Sequence, residues 1–494
     1  MQRKQLTLVI VSLLVVVLSV SLAYFTAQII GKGKDVSVTS ANLQIVFTDS
    51  DGALTETDIE PGWSATKTFT IKNDTKTEYK YNIVIKDLLN TFVTNGYLQY
   101  KITSTNNGYN MTEFKDIPKS SAPKDTILAY SVVIPNGETQ SYTIEFKYAN
   151  DESVDQSEDM GRKLSGTLFI TEGTEEPVTL LSQLLADKST VLTRTGFNTV
   201  LTTDNTNTLY TSTEDSKTVY YFAGNATDNW VKFGKNASNQ DLYWRIIRTN
   251  SEGSVRLLYH GTSTTATDAY IGESAFNSSH DNIAYVSYMY GSLGSIPNAR
   301  TNQTNSSTIK GVIDNWYTSN LEAKGYTKYL STTAVYCNDR ITSDNTSFGA
   351  YTRLYTNKIP SYDCATTEDK FTVDTSTGNG KLTYPIALMT ADEASFAGGL
   401  WLTNAPTWYY YNSANGSSTG STWWWLLSPA DWDGRLANMF IVSGSSHPGY
   451  LIYSDGSGAS GVRPAISLKS CTLYSTGDGS ASDPYTIKET TSGC

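Results

Sequence analysis

Residues 421–468 read STWWWLLSPADWDGRLANMFIVSGSSHPGYLIYSDGSGASGVRPAISL. Short apolar runs at 423–427, 437–442, 450–453 and 462–468 alternate with loops rich in Gly, Ser and Asp. Runs this short, built from aromatic and β-branched residues with turn formers between them, predict strands of an antiparallel sheet. The intervening loops hold Trp432, Asp433, Arg435, His447 and Pro448. A stiff sheet that presents such loops is a common way to build a binding surface.

The chain has 494 residues, enough for two or three domains. Its net charge of −11 supplies no basic face, which argues against nucleic acid as a partner. The four cysteines, Cys337, Cys364, Cys471 and Cys494, show no CxxC spacing, so neither a metal site nor a cofactor is expected. Three pairings are open to them. The local ones, Cys337 with Cys364 and Cys471 with Cys494, close loops of roughly 25 residues worth about 3 kcal/mol each. These are the expected bridges, and they require an oxidising, extracytoplasmic place.

Arg3 and Lys4 precede an uncharged apolar run over 6–25, long enough for a membrane helix. Its basic end belongs in the cytoplasm, with everything after Lys32 outside. Residues 1–32 are therefore read as a signal-anchor. The alternative is a secretory signal peptide cleaved after Ala23.

Residues 35–172 read as all-β. Strand patterns fall at 43–47, 65–72, 79–86, 127–134, 142–148 and 164–171, with turn signals at Pro61-Gly62 and Pro135-Asn136-Gly137. Repeated strands with such punctuation predict a β-sandwich. Asp49-Ser50-Asp51-Gly52 reads as a plain turn, since it lacks the further oxygen ligands of a calcium loop. Ala23-Tyr24-Phe25-Thr26-Ala27, then Glu60-Pro61-Gly62 and Thr68-Phe69-Thr70-Ile71-Lys72-Asn73, resemble bacterial surface proteins of the TasA and camelysin type. That resemblance implies a secreted sandwich, either a stalk or a subunit of an extracellular fibre.

Residues 173–218 read as a linker with one short helix near 180–186. Residues 219–494 then form the second domain. Its strands fall near 220–222, 230–233, 243–248 and 255–259. Ser307 caps a helix carrying Ile309, Ile313, Trp316 and Leu321 on one face. Thr390 and Glu393 form a capping box, and Gly398 supplies a stop. Helices combined with an antiparallel sheet make an α+β domain. Asp241-Leu242-Tyr243-Trp244-Arg245, Ile313-Asp314-Asn315-Trp316-Tyr317, Cys337-Asn338-Asp339-Arg340, Met389-Thr390-Ala391-Asp392-Glu393, Trp425-Leu426-Leu427-Ser428-Pro429 and Gly461-Val462-Arg463-Pro464-Ala465 occur in that order. The set resembles a large uncharacterised domain family of Gram-positive-type surface proteins. The resemblance implies the fold of C-type lectins and formylglycine-generating enzymes, and no particular activity.

A Ser/His/Asp triad can be assembled on paper from His447 and the serines around it, but Asp455-Gly456-Ser457-Gly458 only superficially suggests a serine nucleophile. Asp431 and Asp433 flank Trp432 and pair in the manner that serves glycosidic chemistry, although such acids are commoner as solvated turn residues. The EPN, QPD and WND motifs of calcium-dependent lectins are absent. Variable proteins of diversity-generating retroelements place their diversified residues where this chain has residues 431–453. Among Tyr409, Tyr410 and Tyr411, strand alternation exposes at least one. The expected function is non-catalytic adhesion or ligand binding at the cell surface, with the protein anchored in the membrane and a glycan or protein as ligand. The expected contacts are Trp432, Asp433, Arg435, His447, Tyr450, Tyr409 and Tyr411, because aromatic and Arg side chains dominate binding hot spots. The alternatives are a fibre or matrix subunit and a cell-wall or glycan hydrolase.

Overall fold

The computed structural model describes residues 59–494 except 75, 268, 343, 407–422 and 445–446. It adds the backbone of three strands, Val36–Ser37, Leu43–Phe47 and Ala53–Glu56. The expected membrane helix and the turn at 49–52 lie outside the described residues. No described helix is long and apolar enough to cross a membrane. The chain divides into two compact units, Met1–Glu176 and Pro177–Cys494.

The first unit is a β-sandwich. One sheet orders Val36–Ser37, Leu43–Phe47, Ser64–Asn73, Thr139–Tyr148, Leu98–Ser104 and Lys115–Asp116; the other orders Ala53–Glu56, Leu164–Glu172, Tyr79–Asn90 and Ser120–Ile134. Strand Thr139–Tyr148 shows why. Gln140, Tyr142, Ile144, Phe146 and Tyr148 alternate inward, the two-residue period of a half-buried strand. They meet Tyr81, Ile83, Ile85, Leu168 and Ile170 of the opposite sheet in one core. Inside that core Tyr81 donates its hydroxyl hydrogen bond to Gln140 Oε1 at 2.6 Å, so the buried phenol is satisfied. The Pro135-Asn136-Gly137 turn, with Gly137 at φ +74°, carries the chain from one sheet to the other.

One carboxylate closes an end of the sandwich. Buried Asp159 accepts from the Val93 amide at 2.5 Å, the Thr94 amide at 3.2 Å and the Tyr148 hydroxyl at 2.9 Å. Burial works against its charge, yet the Thr94, Val93 and Tyr148 donors hold it below the usual carboxylate range. Asp159→Ala leaves these donors unmet and is expected to cost the first unit about 1–3 kcal/mol. A depressed folded pKa stabilises above the unfolded value near pH 4, and the contribution fades as pH falls further. Chemical denaturation of both proteins at pH 7 and pH 3 checks this: the gap between them should narrow in acid.

The second unit holds two larger sheets. A ten-stranded sheet includes Thr190–Thr193, Thr208–Glu214, Lys217–Tyr221, Asp241–Thr249, Trp230–Lys235, Val255–Gly261 and Pro464–Leu468. A five-stranded sheet orders Glu273–Ser274, Ser460–Gly461, Trp424–Trp432, Ala437–Val442 and Leu451–Asp455. Both sheets contribute to one core that also takes Ile309, Ile313, Tyr317 and Leu321. The two expected helices form as Thr308–Tyr317 and Ala391–Phe396, capped by Ser307 and Thr390. Every residue of Ala391–Phe396 is buried, so tertiary contacts hold it as well as its capping box.

Two expectations are corrected. The segment 173–218 is more than a linker. Helix Leu180–Asp187 buries Leu180 and Leu184, and Thr190–Thr193 and Thr208–Glu214 are strands of the ten-stranded sheet. Thr190–Thr193 is exposed throughout, and such an edge strand has no apolar pattern to read. The four C-terminal runs also do not share a sheet. Pro464–Leu468 pairs with Val255–Gly261 and Ile386–Leu388, away from the other three. Both local disulfides form, Cys337–Cys364 and Cys471–Cys494, as an oxidising environment allows.

Candidate functional site

The hairpin of Trp424–Trp432 and Ala437–Val442 turns through Asp433, Gly434 and Arg435. Asp433 Oδ1 accepts from the amides of Leu436 at 2.6 Å and Arg435 at 2.8 Å. Those backbone donors hold its carboxyl below the usual range. Asp433 thus shapes the turn. Arg435 is exposed, and Trp432 is half-buried against the core.

The loop over 443–450 lies at the other end of strand Ala437–Val442, because successive hairpin turns alternate ends. The strand between them spans roughly 17 Å at about 3.3 Å per residue. His447 is exposed and rests edge-on against Tyr450, with ring centroids 4.7 Å apart; Tyr450 itself is buried. The expected contacts Trp432, Asp433 and Arg435 therefore lie at one end of that strand and His447 and Tyr450 at the other. Tyr409 and Tyr411 lie outside the described residues.

The structure assembles a different aromatic group. Trp401 has Tyr351, Tyr355, Tyr453 and Phe440 around it, at centroid distances of 5.4, 5.5, 5.5 and 5.8 Å. Trp401 reaches this place because its segment runs alongside Leu451 at the edge of the five-stranded sheet. Tyr351 and Tyr355 come from the helical stretch Gly349–Asn357, four residues apart and so on one face. The group is open to solvent: Tyr355 is 47% exposed, and nearby in sequence Leu402 is 53% and Ile359 66% exposed.

Asp431 lies in the same five-stranded sheet as Tyr453. Burial raises the pKa of Tyr351 and of Tyr453 most, and the Asp431 charge adds a smaller push to each. Burial pushes the Asp431 carboxyl up, opposed by a hydrogen bond from Asn438. Asp431 Oδ1 and Trp401 Nε1 are buried with no partner among the described residues. Unmet acceptors and donors are rare inside proteins, and here the unmet donor belongs to an exposed aromatic surface. Such a surface stacks on a flat or apolar ligand face, while the polar atoms fix its orientation. Sequence reasoning noted Asp431 only beside Asp433 and Trp432, and it did not single out Tyr351, Tyr355, Trp401 or Tyr453. The four-residue spacing of Tyr351 and Tyr355 was the available signal.

Two other clusters have a different character. Arg248, Arg256, Glu214, Arg353, Asp339 and Asp392 line a cavity of about 20 Å³, room for a single water. Each charge has an opposite partner, with Arg248 on Glu214 and Glu393, Arg256 on Glu393, and Arg353 on Asp339 and Asp392. This network supports the fold. Elsewhere Ser457 donates to Asp455 at 2.6 Å, and His280 Nδ1 lies 2.7 Å from Ser457 Oγ and 3.5 Å from Asp455. In a serine triad the imidazole stands between hydroxyl and acid and uses both nitrogens. Here one nitrogen faces both groups and the serine proton goes to the acid.

Comparison with known proteins finds no matching family model, no matching curated protein and no matching solved structure.

Proposed function

We propose that this chain is an exported surface protein that binds a ligand through its second unit without catalysis. The first unit serves as a spacer between that unit and a membrane anchor at 1–32, and the second is a C-type-lectin-like module. The observation that carries the reading is the solvent-open group of Tyr351, Tyr355, Trp401 and Tyr453, which includes the unpaired Trp401 Nε1. Glycans and protein segments both offer an apolar face with hydrogen-bonding groups at its rim. Two disulfides suit a protein working outside the cytoplasm. The Trp401 segment also runs beside the end of the 443–450 loop, where the Ala405 amide donates to the Pro448 carbonyl at 2.8 Å and Trp401 pairs with Leu451.

The test is an array of glycans and surface proteins probed with the chain lacking its first 32 residues. Trp401→Ala and Tyr453→Ala are each expected to weaken capture by about 2 kcal/mol or more, roughly 30-fold. Equal capture by the parent and the Trp401 variant would move the binding site elsewhere. No capture by well-folded protein would favour the matrix-subunit reading.

A further inference from the structure

Lys188 follows helix Leu180–Asp187, and Asp228 precedes strand Trp230–Lys235. Their side chains meet inside the second unit, with Lys188 Nζ 2.6 Å from Asp228 Oδ2 and exposures of only 1% and 7%. The rings of Phe222 and Tyr485 both lie 5.6 Å from the Nζ. Asp228 Oδ2 also accepts from the Asn207 amide at 2.7 Å. Asp228 Oδ1 is buried with no partner among the described residues. A buried ion pair is stable only when its remaining lone pairs and protons are also met, and this one leaves an oxygen bare.

We propose that Lys188 and Asp228 condense into an intramolecular amide cross-link. A proton passes from Nζ to Oδ2 across the 2.6 Å contact, giving amine and acid. Nζ then attacks Cγ. The Nζ–Cγ bond forms and the Cγ–Oδ2 bond breaks. Oδ2 departs as water with two of the three ammonium protons, so atoms and charge balance without oxidant or co-reactant. The Asn207 amide, which donates to Oδ2, assists the departure of that oxygen. Oδ1 remains as the carbonyl oxygen of a neutral amide, which costs less to leave unpaired than a carboxylate oxygen. The remaining N–H faces the Asp228 backbone carbonyl, already 3.1 Å from Nζ. Nearby, Tyr485 donates its hydroxyl hydrogen bond to Asp187 at 2.9 Å, which fixes the ring beside the reacting amine.

The link would tie the first helix of the second unit to the turn before Trp230–Lys235, a strand held between Asp241–Thr249 and Tyr485–Ile487. Tension arriving at Pro177 would meet a covalent stop at Lys188 after one short helix.

Intact mass of the full chain, unreduced, tests the proposal. The expected result is a mass lower by one water beyond the two disulfides, with the peptide containing Lys188 joined to the one containing Asp228. Lys188→Arg keeps the charge pair and cannot form this link, so its mass should return to the unlinked value. A native chain of full mass, with residues 188 and 228 in separate peptides, overturns the proposal. So does a Lys188→Arg protein that still lacks one water.

Discussion

Glu393→Ala is expected to lower the stability of the second unit by about 3–5 kcal/mol, the cost of breaking a buried ion pair by removing one partner. Glu393 Oε1 lies 2.8 Å from Arg248 Nε and 2.7 Å from Arg256 Nη1, and Oε2 accepts from the Thr390 amide at 2.9 Å. All three charged side chains are at most 3% exposed. The truncation leaves Arg248 with Glu214 alone and leaves Arg256 with no carboxylate. It also removes half of the capping box of helix Ala391–Phe396. Glu393→Gln keeps the shape and the bond to Thr390, so it isolates the charge and should cost less. Burial alone would raise the Glu393 pKa, but Arg256 and Arg248 bring it down from 4.5 to about 2. The stabilisation is therefore full above about pH 4.5 and is lost as pH falls towards 2. Urea midpoints for the three proteins at pH 7 and pH 3 decide the matter. A Glu393→Ala midpoint equal to the parent's at pH 7 would show that the arginines find other partners.

This network was half legible in the sequence. Thr390 and Glu393 announce a helix start by spacing alone, and the helix is there. Nothing local says that Glu393 also faces Arg248 and Arg256, which reach it from strands more than 130 residues away. The sandwich was readable because its strands alternate cleanly, as in Thr139–Tyr148. Exposed edge strands such as Thr190–Thr193 have no such signature. The two loops expected to form one face are separated for a topological reason. Residues 433–435 and 443–450 are close in sequence, yet strand Ala437–Val442 sends them to opposite ends of a sheet. Conversely, Tyr351, Trp401 and Tyr453 lie about fifty residues apart and meet in space.

Replacing Cys337 and Cys364 by Ser is expected to lower stability by about 3–4 kcal/mol, the chain entropy of a loop spanning 27 residues. The same change should weaken the binding proposed for the aromatic group, and the reason lies in what the loop contains. Between the two cysteines run Asp339 and Arg353 of the ionic network and Tyr351 and Tyr355 of the aromatic group. Arg353 reaches out of the loop to Asp392 at 2.7 Å, and Ser361 donates its amide to the same carboxylate at 2.9 Å. Tyr362 stacks on Phe396 with centroids 4.0 Å apart. These contacts and the disulfide together press the helical stretch Gly349–Asn357 against the sheet that carries Asp431 and Tyr453. Without the covalent tie, the loop gains conformations in which Tyr351 and Tyr355 leave Trp401, and ligand then has to bear the cost of ordering them. Affinity should therefore fall at temperatures where the double variant is still folded by circular dichroism. The matching Cys471→Ser, Cys494→Ser variant opens a loop spanning 23 residues and should lose comparable stability while keeping affinity. Equal affinity losses in the two variants would mean that general loosening, and not the position of Tyr351 and Tyr355, sets the effect.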